Sequence, residues 1–215
     1  CIARLYDADT LPDGTPWFVM EYVEGMSLTD YCKRYKPGIA RKLQLFRTVC
    51  EAVQHAHEQA IIHRDLKPSN IFVKSDGAIR LLDFGIAKQI DSLEQQVDQT
   101  KAVHRMLTPA YASPEQVRGS RISIQTDVYS LGVILFELLT DELPFDLSNL
   151  TPDEAASIVV THDPPKPSVV VRKNSSADSP SGQFRRAEWP ELDVLCLTAM
   201  HKDPERRYRS VEALI

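Results

Sequence analysis

The chain has 215 residues, of which 43% are apolar and 26% charged, with a formal net charge of −5. That length and apolar content suit one large domain able to bury its own core, and the acidic balance argues against general affinity for nucleic acid or an anionic membrane. No run approaches the roughly 18 apolar residues of a membrane span, and Arg4, Asp7 and Asp9 interrupt any apolar stretch that could serve as a secretory leader. Cys1, Cys32, Cys50 and Cys196 lie far apart with no C-x-x-C pair, a spacing that suits neither zinc nor a disulfide framework, so reduced thiols in a cytosolic setting are expected.

In chain order, Ile2–Tyr6 and Trp17–Tyr22 read as the strands of a hairpin around the polar turn Leu11-Pro12-Asp13-Gly14. Ser27 is a fair N-cap for a short helix through Tyr35, which Pro37-Gly38 ends. A long helix is expected from about Ile39 to Gln59, with one buried stripe at Ile39, Leu43, Phe46, Val49/Cys50, Val53 and His57. Within it, His55 and His57 stand two apart, where helix-borne metal pairs stand three or four apart, so packing or exposed roles are expected for them. A second hairpin follows, Ile71–Val73 and Ile79–Leu82 around Ser75-Asp76-Gly77. Ser123 to Leu139 reads as a helix apolar on most sides, the centre of the domain. Thr151-Pro152-Asp153-Glu154 has the cap, the proline and the acids of a helix start. Residues 163–188, rich in Pro and Ser, read as an exposed flexible insert, and their basic residues Arg172, Lys173, Arg185 and Arg186 as a solvated loop. Pro190–His201 and Ser210–Ile215 read as closing helices.

Two short runs carry the chemistry: HRDLKPSN at 63–70 and LLDFG at 81–85. The first sets Asp65, Lys67 and Asn70 within six positions, and the second adds Asp83. A loop carboxylate beside cations can take the proton of a hydroxyl, an ammonium can neutralise phosphoryl charge, and amide and carboxylate oxygens suit magnesium. Further runs follow: TPAYASPE at 108–115, TDVYSLG at 126–132 and DPERRY at 203–208. Together these motifs, over nearly the whole chain, resemble a Ser/Thr protein kinase domain, most closely the eukaryotic-like kinases of bacteria.

The resemblance implies an α+β, protein kinase-like fold: a remnant of the small lobe and the hinge at 1–23, then the helical large lobe at 24–215 with its activation segment at 83–115. It implies Asp65 as the catalytic carboxylate, Lys67 at the transferring phosphoryl group, and Asn70 and Asp83 as ligands of the magnesium ions that accompany ATP. FVMEYVEG at 18–25 matches the adenine strand, with Met20 as gatekeeper, Glu21 and Val23 as backbone partners and Phe72 as the floor. His63 and Phe84 are expected to stack with Leu5 and to be tied down by Asp127. Arg64 is expected to pair with a phosphate on the activation segment, Thr108 to contact the catalytic aspartate, and Glu115 to pair with Arg207, with Arg206 the competitor.

Departures are informative. His104 stands where the usual phosphorylated residue is expected, which moves the expectation to Thr100 and then Ser92; Leu107 replaces a common glycine, and Ser113 begins Ser-Pro-Glu in place of Ala-Pro-Glu. No G-x-G-x-x-G and no V-A-I-K occurs in these residues, so the chain reads as a fragment, expected to be nearly inactive alone. The implied function is transfer of the ATP γ-phosphate to Ser or Thr of protein substrates, with no nucleic-acid partner and no membrane contact from this segment. The implied location is cytoplasmic, whether or not the parent is membrane-anchored elsewhere. The alternative is a pseudokinase-like scaffold that binds partners, which a missing strand lysine upstream would favour.

Overall fold

The computed structural model describes residues 1–13, 15–82, 109–174 and 188–215. Strands β1 (Leu5–Thr10) and β2 (Pro16–Met20) form an antiparallel hairpin, pairing Ala8 with Phe18 and Asp9 with Trp17. The first strand therefore starts later than the apolar pattern implies. Ile2 instead bridges Leu81 in parallel, with Ala3 N–H on Leu81 O (3.0 Å) and Leu81 N–H on Cys1 O (2.7 Å). A bulge between Leu5 and Asp7 accompanies the change of partner.

Strand β3 (Met26–Ser27) leads into helix α1 (Leu28–Tyr35), where the Ser27 hydroxyl caps Asp30 N–H. Lys36 closes that helix in the left-handed region at φ 44. Helix α2 (Ile39–Glu58) buries Leu45, Phe46, Val49, Cys50 and Val53 along one stripe. Strands β4 (Ile71–Val73) and β5 (Ile79–Leu81) form the second hairpin, and β4 pairs with both β3 and β5. Gly77 at φ 81 makes the turn, a conformation that costs a glycine little.

The centre is helix α4 (Ile124–Thr140), which follows the short α3 (Pro114–Val117). From Thr126 through Phe136 every residue of α4 is buried, so it is surrounded rather than amphipathic. Helix α2 packs on one side of α4, and α7 (Trp189–Ala199) on another. Helix α5 (Pro152–Thr161) begins with a full capping box between Thr151 and Glu154. Helix α6 (Pro167–Asn174) corrects the expectation of a flexible insert over its length: Ser168 N–H and Oγ donate to the Asp193 carboxylate at 2.8 and 2.6 Å, and Val171 is buried. A buried hydrogen-bonded pair and an apolar anchor outweigh the Pro/Ser composition that suggested a loop. The chain closes in a 3₁₀ turn at Glu212–Leu214 rather than an α-helix.

Gly132 lets α7 approach α4. A Cβ built on it would lie 2.8 Å from Ala199 Cβ and 2.9 Å from Met200 Cγ. Gly132→Ala is expected to destabilise the domain by about 1–3 kcal/mol through overpacking, read as a lower midpoint in denaturant unfolding with an unchanged slope.

Candidate active site

The segment between α2 and β4 is irregular, and one buried carboxylate organises it. Asp127, in the first turn of α4 and fully buried, accepts from His63 N–H (2.8 Å), Arg64 N–H (2.9 Å) and His57 Nε2 (2.7 Å). Since a carboxylate only accepts, His57 Nε2 carries the proton of that bond. Arg64 sits at φ 67, a backbone conformation that non-glycine residues seldom hold. It is clamped from both sides, because its N–H goes to Asp127 and its C=O receives Gln116 Nε2 at 2.7 Å.

Beyond this clamp the chain presents Asp65. Lys67 Nζ lies 2.8 Å from Asp65 Oδ2, and both side chains retain solvent contact at 22% and 17% exposure. A 3₁₀ turn, Pro68–Asn70, follows, with Asn70 N–H on Lys67 O (2.9 Å). The turn swings the Asn70 side chain back, so that Nδ2 donates to Asp65 O (2.9 Å) and Asp65 Oδ2 (3.2 Å). With its nitrogen so committed, Asn70 Oδ1 is left without a partner among the described residues. Asp65, Lys67 and Asn70 are thus brought together on one carboxylate.

His63 joins this loop to the end of β5. Its Nε2–H donates to Leu82 O at 2.9 Å, while Nδ1 accepts a long contact from Asp65 N–H at 3.4 Å. Leu82 N–H donates in turn to Asn70 O at 2.8 Å. Burial pushes the His63 pKa down, against the opposing pull of Asp127 and the Leu82 carbonyl, so the ring is held neutral. Leu5 takes no part in a buried stack of the expected kind. It is 44% exposed, because its strand belongs to the β1–β2 hairpin, which leaves Leu5 and Phe18 open to solvent.

At the adenine-strand residues, Glu21 N–H donates to Arg4 O (2.8 Å) and the Glu21 carboxylate lies 3.5 Å from Arg80 Nε. Met20 ends β2, Phe72 stands opposite Arg80 on β4, and Val23 is buried. Val23 makes no backbone–backbone hydrogen bond among the described residues. Asp83, Phe84, Thr100 and Thr108 lie outside the described residues, as do Ser92, His104 and Leu107.

Glu115 and Arg207 form a bidentate pair, Nη1–Oε1 and Nη2–Oε2 both at 2.7 Å, with their side chains 7% and 0% exposed. Arg206, the competitor, is 72% exposed and among the described residues pairs only with Asp203. Burial alone would raise the Glu115 pKa, but the hydrogen bonds and charge of Arg207 hold it below the usual range. Gln116 was not singled out from the sequence, although Ser113-x-x-Gln116 is a readable capping-box spacing, and both of its bonds are made. Tyr111 and Glu137 were missed as well. The Tyr111 hydroxyl donates to Glu137 at 2.6 Å, and Ser130 Oγ donates to Tyr111 O at 2.9 Å.

Arg207→Ala is expected to cost about 3–5 kcal/mol because it strands a buried carboxylate, and Arg206→Ala less than about 0.5 kcal/mol, both read from chemical denaturation. A folded His63 that refuses its proton makes the unfolded state the stronger proton binder, so stability rises with pH. The contribution of His63 should therefore be fully present above about pH 6.5 and decline as pH falls below it, and His63→Asn should flatten that slope below about pH 6.5. Loss from Glu115 follows only below about pH 4.5, the ordinary range of its carboxylate.

Residues 2–214 match the family model described as "Protein kinase domain". The chain is 37% identical to the serine/threonine-protein kinase PknB of Mycolicibacterium smegmatis over 97% of its length, covering 31% of that protein. It is 35% identical to the serine/threonine-protein kinase PrkC of Bacillus subtilis, over 98% of this chain and 30% of the other. It thus spans about a third of the length of these relatives. A crystal structure of the Mycobacterium tuberculosis PknI kinase domain, solved as a mutant, superposes with a TM-score of 0.67 over 99% of this chain and 68% of that one, at 24% identity, and so shares the fold. A kinase-like arrangement of hairpin, loop and central helix, matched by sequence from end to end, makes the chain a member of the protein kinase domain family.

Proposed function

We propose that the protein to which this chain belongs is a serine/threonine protein kinase, transferring the γ-phosphoryl group of ATP to hydroxyls of protein substrates. The observation that carries the reading is the convergence of Lys67 Nζ and Asn70 Nδ2 on Asp65 Oδ2, at 2.8 and 3.2 Å. Bound magnesium–ATP supplies the phosphoryl group and the divalent charge that bridges its oxygens. Asp65 orients the acceptor hydroxyl and takes its proton, within an arrangement that holds the carboxylate still. Lys67 sits where it can offset charge on the transferring oxygens. Asn70 Oδ1, a hard donor with no other partner among the described residues, suits a magnesium ligand, and Asp83 is proposed as the second on sequence alone.

The backbone of Val23, which has no backbone hydrogen bond among the described residues, suits, beside Glu21, the donor and acceptor of adenine, with Met20 and Phe72 as apolar neighbours. Arg64, whose Nε is buried with no partner among the described residues, suits a phosphate on the following segment, with Thr100 the acceptor proposed there. The reading places the domain in the cytoplasm, where ATP is. None of the described helices is long and apolar enough to cross a membrane.

The test is transfer of labelled γ-phosphate to a generic Ser/Thr protein by the full-length protein with magnesium. Asp65→Asn is expected to lower kcat by about 10²–10⁴ with little change in KM for ATP, and phosphoamino-acid analysis should show Ser and Thr only. An Asp65→Asn protein as active as the parent would sink the reading.

A further inference from the structure

The peptide group that joins Arg64 to Asp65 is planar, so the Arg64 carbonyl and the Asp65 N–H turn together. Their shared plane sets the direction in which the Asp65 side chain leaves the backbone. Gln116 holds one end of it, with Nε2 donating to Arg64 O at 2.7 Å. The other end reaches His63 Nδ1 by a weaker contact of 3.4 Å. Asp127 fixes the preceding peptide instead, through Arg64 N–H at 2.9 Å. Since Arg64 lies at φ 67, relaxation towards an ordinary backbone would swing the 64–65 peptide, and the Gln116 bond opposes that swing.

Gln116 is itself held with little freedom. Its side chain is buried, its Oε1 accepts Ser113 N–H at 3.0 Å, and its own N–H donates to Ser113 Oγ at 3.3 Å. The carboxamide is therefore committed at both ends, its oxygen to the start of α3 and its nitrogen to the Asp65 loop. The residue before it, Glu115, is tied to Arg207 at 2.7 Å and to Thr126 at 2.9 Å. An anchor fixed in this way does not follow the loop when the loop moves, which is what a support for a reacting group requires. Gln116 also lines the small cleft that contains Asp65 and Lys67.

We infer that Gln116 is a positioning residue for phosphoryl transfer, acting on Asp65 through the Arg64 carbonyl. The inference rests on the kinase reading and adds to it a residue from outside the Asp65 loop. The competing account is a cap for α3 and nothing more. One substitution separates the two. Glutamate fills the same cap position and accepts Ser113 N–H as glutamine does, but its carboxylate has no proton to offer Arg64 O.

The test is steady-state phosphorylation of a generic Ser/Thr protein by the full-length protein and its Gln116→Glu and Gln116→Met variants, at about pH 8, where the introduced carboxyl is ionised. Each variant is expected to lower kcat by about tenfold to a hundredfold, the scale of a group displaced by about 1 Å, with KM for ATP within about twofold. In an Asp65→Asn background the same changes should alter kcat by less than about twofold, because the group they misplace is gone. Circular dichroism and the denaturation midpoint identify the variants that are folded under assay conditions, and either one alone decides. Full activity of a folded variant overturns the inference. So does an undiminished loss in the Asp65→Asn background, or loss of the fold in both variants, since each leaves Gln116 a structural cap. An unaltered protein that transfers no phosphate, or an Asp65→Asn protein as active as the parent, removes the kinase reading and this inference with it, a pattern that no Gln116 variant can produce.

Discussion

A buried carboxylate with three donors is what the rest of this domain is arranged around. Asp127 enters the interior at the first turn of α4, where the positive end of the helix dipole favours an anion. Burying an unpaired carboxylate would be prohibitive, so the group demands donors, and the chain supplies His57, His63 and Arg64. That demand is also what keeps Arg64 at φ 67. A strained residue persists only where its surroundings over-determine it, and here both of its backbone groups are taken. The direction of the chain at Asp65 is thus set from inside the core rather than by the loop itself.

The neighbours of Asp127 repeat the device. Thr126 Oγ1 donates to Glu115 at 2.9 Å, and Gln125 O accepts from Arg207 Nη1 at 2.8 Å. Three consecutive residues at one helix end therefore grip the Asp65 loop, the α3 segment and Arg207. Tertiary links of this kind join parts 11 to 92 positions apart in sequence, and each is worth little alone in net terms because desolvation offsets the attraction. Their effect is mutual: losing one partner leaves the other buried and unpaired. The apolar body of α4 provides the stability on which these polar links are hung, since burial of Val128, Leu131, Ile134 and Leu135 is the dominant favourable contribution.

Much of this was legible in the sequence because the relevant signals are local. Ser27, Thr151 and the 39–58 periodicity mark their helices by capping and spacing alone. The Asp65–Lys67–Asn70 cluster was legible because its residues lie within one loop and a 3₁₀ turn folds them together. Non-local pairing was not. That Ile2 leaves β1 for Leu81 depends on a strand nearly 80 positions away, and Leu5 keeps an apolar identity that its exposed place does not use. Composition misled at Pro167–Asn174, where a proline can begin a helix and a distant Asp193 supplies the buried partner. Tyr111 and Glu137 could not have been found, because nothing in their spacing announces that one hydroxyl reaches the other helix.

The neutral His63 shows why the two motifs act as one unit. A protonated imidazole has two donors and no acceptor. Here one side of the ring faces a carbonyl, Leu82 O, and the other faces an amide, Asp65 N–H, so only the neutral ring satisfies both. Leu82 is the residue before Asp83, and its N–H is bound by Asn70 O. The carboxylate loop and the exit of β5 are thereby fixed to each other through Leu82, with Asn70 serving Leu82 by its backbone and Asp65 by its side chain. A shift of either segment would have to break the links from His63 and Asn70 together, and that shared cost, rather than rigidity of either loop, is what can hold two separated motifs at a common site.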